Sequence, residues 1–171
     1  MISKFKYFNF QYDLEKIKKF LPDIDYKPSD QKVEVLTIKQ NLIIQHLIKS
    51  RYIVSKVLYF KILGGSIGNI HIDTDISNST INNHIALNIP ILNGDLAVMR
   101  WYKQKENTKM HCMIGPSKTA NVPMLTYNDA ICVAESNISK PIIVKVDDWH
   151  SIRNISETEP CEILSIRFLK K

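Results

Sequence analysis

Apolar positions recur with two different periods along the chain. In "DLEKIKKFL" (13–21), Leu14, Ile17, Phe20 and Leu21 return at helical spacing, Asp13 stands at the N-cap position and Pro22 follows as a stop. A second helix is expected over 41–50, "NLIIQHLIKS". Beyond residue 50 the texture changes to short runs rich in β-branched and aromatic residues, at 52–63, 68–73, 84–92, 96–102, 130–135, 141–146, 149–155 and 161–169. Clusters of Gly, Asn, Asp, Ser and Pro punctuate them. Eight short strands without long helices between them predict a mainly β fold, a double-sheet barrel or jelly roll with the N-terminal helices packed outside. The connection 103–129 reads as a long loop, the kind of segment that forms lids or meets substrate. "GGSIG" (64–68) lacks the helix of a phosphate loop and reads as a flexible turn before the next strand.

A length of 171 residues suits one domain, 1–171, in which 1–60 form a mixed helical and strand support and 61–171 the β core. Hydrophobic content of 44% and charged content of 23% match a soluble globular chain. The formal charge of +6 is concentrated at the front: residues 1–60 hold 11 Lys and Arg against 6 Asp and Glu, and residues 61–171 hold 12 against 11. A basic first third is the one region that could meet nucleic acid. No Arg-rich run or aromatic–basic alternation marks a groove there, so a solvated Lys-rich helix face is the preferred reading. Three cysteines, Cys112, Cys132 and Cys161, form no CxxC pair and read as reduced thiols of a cytoplasmic protein. The N-terminus has no secretory h-region, and the greasiest stretch, 42–63, is interrupted by Gln45, His46, Lys49, Arg51, Lys56 and Lys61, so no membrane span is expected.

Candidate chemistry begins at "GNIHIDTD" (68–75), which places His71 and Asp73 two apart in a strand and so on one face. Two polar groups on an interior face need partners, and a divalent metal answers to both. "DDWHSIRN" supplies a third ligand, His150, at the start of a later strand that a jelly roll can bring to the same mouth. Two imidazoles and one carboxylate form the facial set of non-haem Fe(II) oxygenases, leaving positions for a bidentate co-substrate and O₂. A 2-oxo acid would also need a cation for its distal carboxylate. Arg167, amid apolar residues in "ILSIRF", fits, on the strand face of Cys161, Ile163 and Ser165.

The order HxD, then a distant His, then Arg on the next strand resembles the 2-oxoglutarate/Fe(II)-dependent oxygenases. "HIALNIPILN", "KPIIVKVDDWHSIRNIS" and "CEILSIRF" look more narrowly like the aspartyl/asparaginyl β-hydroxylase-like branch, over roughly residues 60–170. The resemblance implies a double-stranded β-helix of cupin-like type, with His71, Asp73 and His150 as catalytic iron ligands and Arg167 as the partner of 2-oxoglutarate. It also implies that Asn88 contacts the co-substrate. The activity implied is a dioxygenase that hydroxylates an amino-acid side chain or small metabolite, with small-molecule or peptide substrate and O₂ as partners. The chain departs from the branch in having Pro160-Cys161 where relatives often carry the Arg, and in lacking an Arg near Ala86.

Rivals exist for two positions: Asp75 for Asp73, and Arg153 for Arg167. His46, His84 and His111 have no partner pattern. Trp101 and Tyr102 alternate, so one faces inward. Two alternative functions stand beside the oxygenase. One is a cupin-like metal-dependent isomerase or lyase, echoed by Gly65, His71-x-Asp73 and His150-x₃-Asn154. The other is a non-catalytic binding module on the same scaffold.

Overall fold

The computed structural model describes residues 4–7, 12–23, 32–35, 38–48, 54–73, 83–114 and 121–169. Its elements are β1 (Phe5–Tyr7), α1 (Leu14–Lys18), β2 (Lys32–Val35), α2 (Ile38–Leu47), β3 (Val54–Ile62), β4 (Ile70–His71) and β5 (Asn83–Leu92). There follow β6 (Ala97–Gln104), β7 (His111–Ile114), β8 (Asn121–Leu125), β9 (Ala130–Asn137), β10 (Ile142–Lys145), β11 (His150–Asn154) and β12 (Cys161–Leu169). The fold is mainly β, as expected. Two six-stranded sheets run in the orders β1-β10-β5-β12-β3-β2 and β7-β8-β4-β11-β6-β9, and every strand pair in them is antiparallel.

β12 explains the layering. It lies between β5 and β3 in the middle of its sheet, and both its faces are buried. Cys161 and Ile163 point to the other sheet, where they meet Ile62, Ala86, Met99, Trp101, Ile142 and Val144. Leu164, Ile166 and Phe168 point the other way, onto Val57, Tyr59, Leu87 and Ile89 and onto Ile17, Ile44 and Ile48 of the helical segments. A strand covered on both sides needs apolar residues at consecutive positions, so "CEILSIRFL" reads as a nearly continuous hydrophobic run. Full burial of a side chain such as Ile17 or Ile44 contributes about 1.5–3 kcal/mol, which is how short helices are held on a sheet.

α1 starts where expected: the Asp13 carboxylate accepts from Lys16 N at 3.0 Å. The helical bonding ends in a tight turn, Leu21 N to Lys18 O at 3.1 Å, just before Pro22. α2 begins three residues earlier than its pattern suggests, and the end of that expectation, 49–50, falls outside the described residues, as does 52–53 of the following strand.

The connection 103–129 corrects the expectation of a loop. It contains β7 and β8, which pair with each other and extend the second sheet beside β4, with Ile70 opposite Leu125 and His71 opposite Met124. β1 and β2 are two further short strands, at the two edges of the first sheet. The "GGSIG" turn does what its glycines allow. Gly65 adopts a φ of +72°, and a Cβ at Gly64 would sit 2.5 Å from the Glu157 backbone, so the turn before β4 nests against the connection that carries the chain from β11 in one sheet to β12 in the other. No helix among the described residues is long and apolar enough to cross a membrane.

Candidate metal centre

His71 is the second residue of β4, and His150 the first of β11. The two are direct register partners, so their side chains leave the sheet on the same face. Their ring centroids are 4.5 Å apart. Trp101 of β6 is the other neighbour of His150 and belongs to the core between the sheets, which identifies this face as the inner one. Asp73 lies just beyond β4. Its backbone N–H donates to Val146 O at 2.8 Å, which ties the end of β4 to the segment after β10 in the opposite sheet.

These elements bring His71, Asp73 and His150 into one cluster, with a donor atom from each lying within 4.8 Å of the others. His71 Nε2 is 3.2 Å from Asp73 Oδ1, and His150 Nε2 is 4.0 Å from the same oxygen. Two ligands at right angles on bonds of about 2.1 Å lie about 3 Å apart. The first separation meets that value and the second exceeds it by about 1 Å.

The tautomers follow from the opposite ring nitrogens. His71 Nδ1 is 2.9 Å from Asn69 O, and His150 Nδ1 is 2.8 Å from Asp148 O. A carbonyl only accepts, so each Nδ1 carries a proton and donates it, as the outer hydrogen bond of a metal-binding imidazole does. The Asp148 carboxylate is itself held by Lys4 at 2.8 Å and Lys145 at 3.2 Å. In this way β1 and β10 steady the carbonyl that orients His150.

Electrostatics separate the two imidazoles. Burial, then the charge of nearby His71, pushes His150 down to about 3, so its Nε2 lone pair is free at any ordinary pH. Burial acts the same way on His71, but the hydrogen bond and negative charge of Asp73 outweigh it and raise its pKa above 6.5. Asp73 would be pushed up by burial. Arg167 and the two imidazoles reverse this and hold it well below the usual carboxylate range. Without metal and below that raised pKa, a proton on His71 Nε2 bridges to Asp73 Oδ1, in the place a cation would take.

A consequence is testable by Co(II) titration from about pH 5.5 to about pH 8.5. Affinity should be flat above the raised His71 pKa and fall about tenfold per pH unit below it, since the ion must displace that proton. His150, already neutral, should add no second step. A pH-independent affinity would place the proton elsewhere.

Arg167 reaches the cluster from the other sheet. Its Nη2 stands 2.6 Å from Asp73 Oδ2, and Nη1 donates to Ser165 Oγ at 2.6 Å. Ser165 Oγ in turn donates to Asn88 Oδ1, and Asn88 Nδ2 faces Met99 Sδ at 3.6 Å. Asn88 and Ser165 are register partners on β5 and β12, both buried. Arg167 Nε is buried with no hydrogen-bond partner among the described residues, a condition that costs about 1–3 kcal/mol. Side-chain exposure falls from 28% at His71 and 14% at Asp73 to 4% at His150 and Arg167, so the centre opens to solvent on the His71 side.

The rivals sort themselves. Arg153, three residues from His150, lies on the opposite face of β11 and forms a bridge with Ile67, so Arg167 and not Arg153 joins the cluster. Asp75 and the side chain of His84 lie outside the described residues. His111 is exposed on β7, two strands from His71 through Met124, and His46 sits in α2; neither belongs to the cluster. Trp101 faces inward and stacks on Phe5 with centroids 5.4 Å apart, whereas Tyr102 joins Ile70, Leu125 and Trp149 on the outer side. Ser165 had no role assigned from sequence. Its signal was a small polar residue two before Arg167 in a buried strand.

No protein-family model matches the sequence, and no curated protein does. Among solved structures, the chain is similar to an oxidoreductase of the 2OG-Fe(II) oxygenase family from Burkholderia pseudomallei, with a TM-score of 0.40 and 12% identity. The match covers 78% of this chain and 51% of that one, so this chain spans about half the neighbour's length.

Proposed function

We propose that the chain is an Fe(II)- and 2-oxoglutarate-dependent oxygenase whose paired sheets form a double-stranded β-helix. His71, Asp73 and His150 would hold the iron, and Arg167 would meet a carboxylate of the co-substrate. One observation carries the reading: two Nε2 atoms approach a single carboxylate oxygen while both Nδ1 atoms are tied to backbone carbonyls. This donor set suits Fe(II), with two imidazoles and a carboxylate leaving positions for a chelating 2-oxo acid and O₂. When bound, iron and 2-oxoglutarate supply the oxidation of a C–H bond to C–OH, with succinate and CO₂ released.

The chain's own groups prepare that chemistry. Asn69 O and Asp148 O fix the ring planes. Trp101, Met99 and Ile163 line the dry interior behind the imidazoles. Arg167 and Ser165 supply donors deep in the cavity, and Asn88 holds Ser165 in place. The open His71 side would admit the substrate, an amino-acid side chain or a small metabolite.

Anaerobic addition of Fe(II) and then 2-oxoglutarate tests the reading. A weak visible absorption band of the chelated complex is expected, followed on admitting air by succinate formation. Bound metal without the band or succinate would sink it, and an equal preference for Zn(II) or Mn(II) would then favour the cupin-like alternative.

A further inference from the structure

The position of Arg167 carries more than co-substrate recognition. Its guanidinium stands 2.6 Å from Asp73 Oδ2, while Oδ1 is the oxygen both imidazoles approach. Asp73 is thereby divided, one oxygen toward the ion site and the other on Arg167. A cation placed on a ligand carboxylate weakens what that carboxylate can offer a second cation. It also keeps Oδ2 from closing a second bond to the metal. Nη1 is anchored to Ser165, which is anchored to Asn88, so the guanidinium cannot turn away without breaking a buried chain of hydrogen bonds. Nε, buried and without a hydrogen-bond partner among the described residues, is the donor still to be satisfied.

Resting on the reading of His71, Asp73 and His150 as metal ligands, we propose that Arg167 couples the metal to the anionic co-substrate. One guanidinium serves the ligand carboxylate through Nη2 and an incoming carboxylate through Nε. An anion at Nε neutralises the guanidinium and returns to Asp73 the charge it offers the metal. The metal is held loosely until the anion arrives. By reciprocity, the anion binds more tightly once the metal is in place. Ser165 and Asn88 are positioning residues in this scheme, since they act only through Arg167.

The test uses the full chain, Co(II) as the spectroscopic metal, and glutarate as the anion. Glutarate is a dicarboxylate without the 2-oxo group, so it cannot chelate the ion as a 2-oxo acid does. In the wild type, saturating glutarate should tighten Co(II) binding about tenfold. Arg167→Gln should bind Co(II) about tenfold more tightly than wild type without glutarate and should no longer respond to it. Arg167→Lys keeps the charge and should retain the weak glutarate-free affinity. Wild-type affinity indifferent to glutarate overturns the proposal whatever the variants do. So does a folded Arg167→Gln protein with wild-type affinity and response. If the wild type binds no Co(II), or His150→Ala binds it equally well, the metal reading itself fails and the coupling falls with it.

Discussion

Asp73→Ala is expected to destabilise the fold by about 3–5 kcal/mol and to abolish divalent-metal binding in the same variant. The stability loss comes from Arg167. Its side chain is 4% exposed and its ionic partner is Asp73 at 2.6 Å, so truncating Asp73 strands a guanidinium in the interior. Burial already lowers the pKa of Arg167, with the Asp73 charge and hydrogen bond opposing that shift, and the variant removes that opposition. Removing both charges should behave differently: Asp73→Ala with Arg167→Leu is expected to recover most of the lost stability while binding no metal. Urea unfolding of the three proteins beside Co(II) titrations separates the two effects. Wild-type stability in Asp73→Ala would mean that the ion pair is absent in solution. The sign of the acid response follows too. Since the folded pKa of Asp73 is lowered, its contribution is complete above the ordinary carboxylate range and drains away as pH falls through the lowered value.

His150→Ala should show the opposite balance. His150 is neutral in the metal-free chain, its pKa held near 3, so its loss strands no charge. The fold loses ring packing beside Trp101 and the donor to Asp148 O, an unpaired acceptor worth about 1–3 kcal/mol. Metal affinity should fall by more than about 100-fold, because even the outer hydrogen bonds of metal ligands are worth about 10–100-fold. Circular dichroism with Co(II) titration reads both quantities. A folded His150→Ala protein that binds Co(II) as the wild type does would remove His150 from the ligand set.

How much of this could be read from the chain varied with burial. β12 was legible to its last residue because cover on both faces gives it a nearly continuous apolar run, interrupted at Glu162, Ser165 and Arg167. His71 and His150 were legible because each sits in a run marked by its apolar neighbours; the strand expected over 68–73 shortens to Ile70–His71, so Asp73 joins them from the segment just after β4 and not through strand alternation. β7 and β8 were not. His111, Cys112 and Ile114 are exposed, so no apolar alternation survives, and Pro123 argues against a strand although it pairs with Cys112. β1 and β2, at three and four residues, are too short to show a period. The choice between Arg153 and Arg167 was available in principle, since an odd spacing from His150 turns Arg153 to the outer face. The contact of Arg167 with Asp73 was not, because it forms between sheets and no local pattern encodes it.

The opposition of His71 to His150 across β4 and β11 has one more consequence. β4 is only two residues long, and its ladder with β11 is the single pair His71–His150. A slip by one position would send one imidazole to the wrong side of the layer. An ion gripped by both rings would therefore act as a cross-stitch between the strands, and only a correctly threaded chain could accept it. Proper assembly and readiness for chemistry would then be one event.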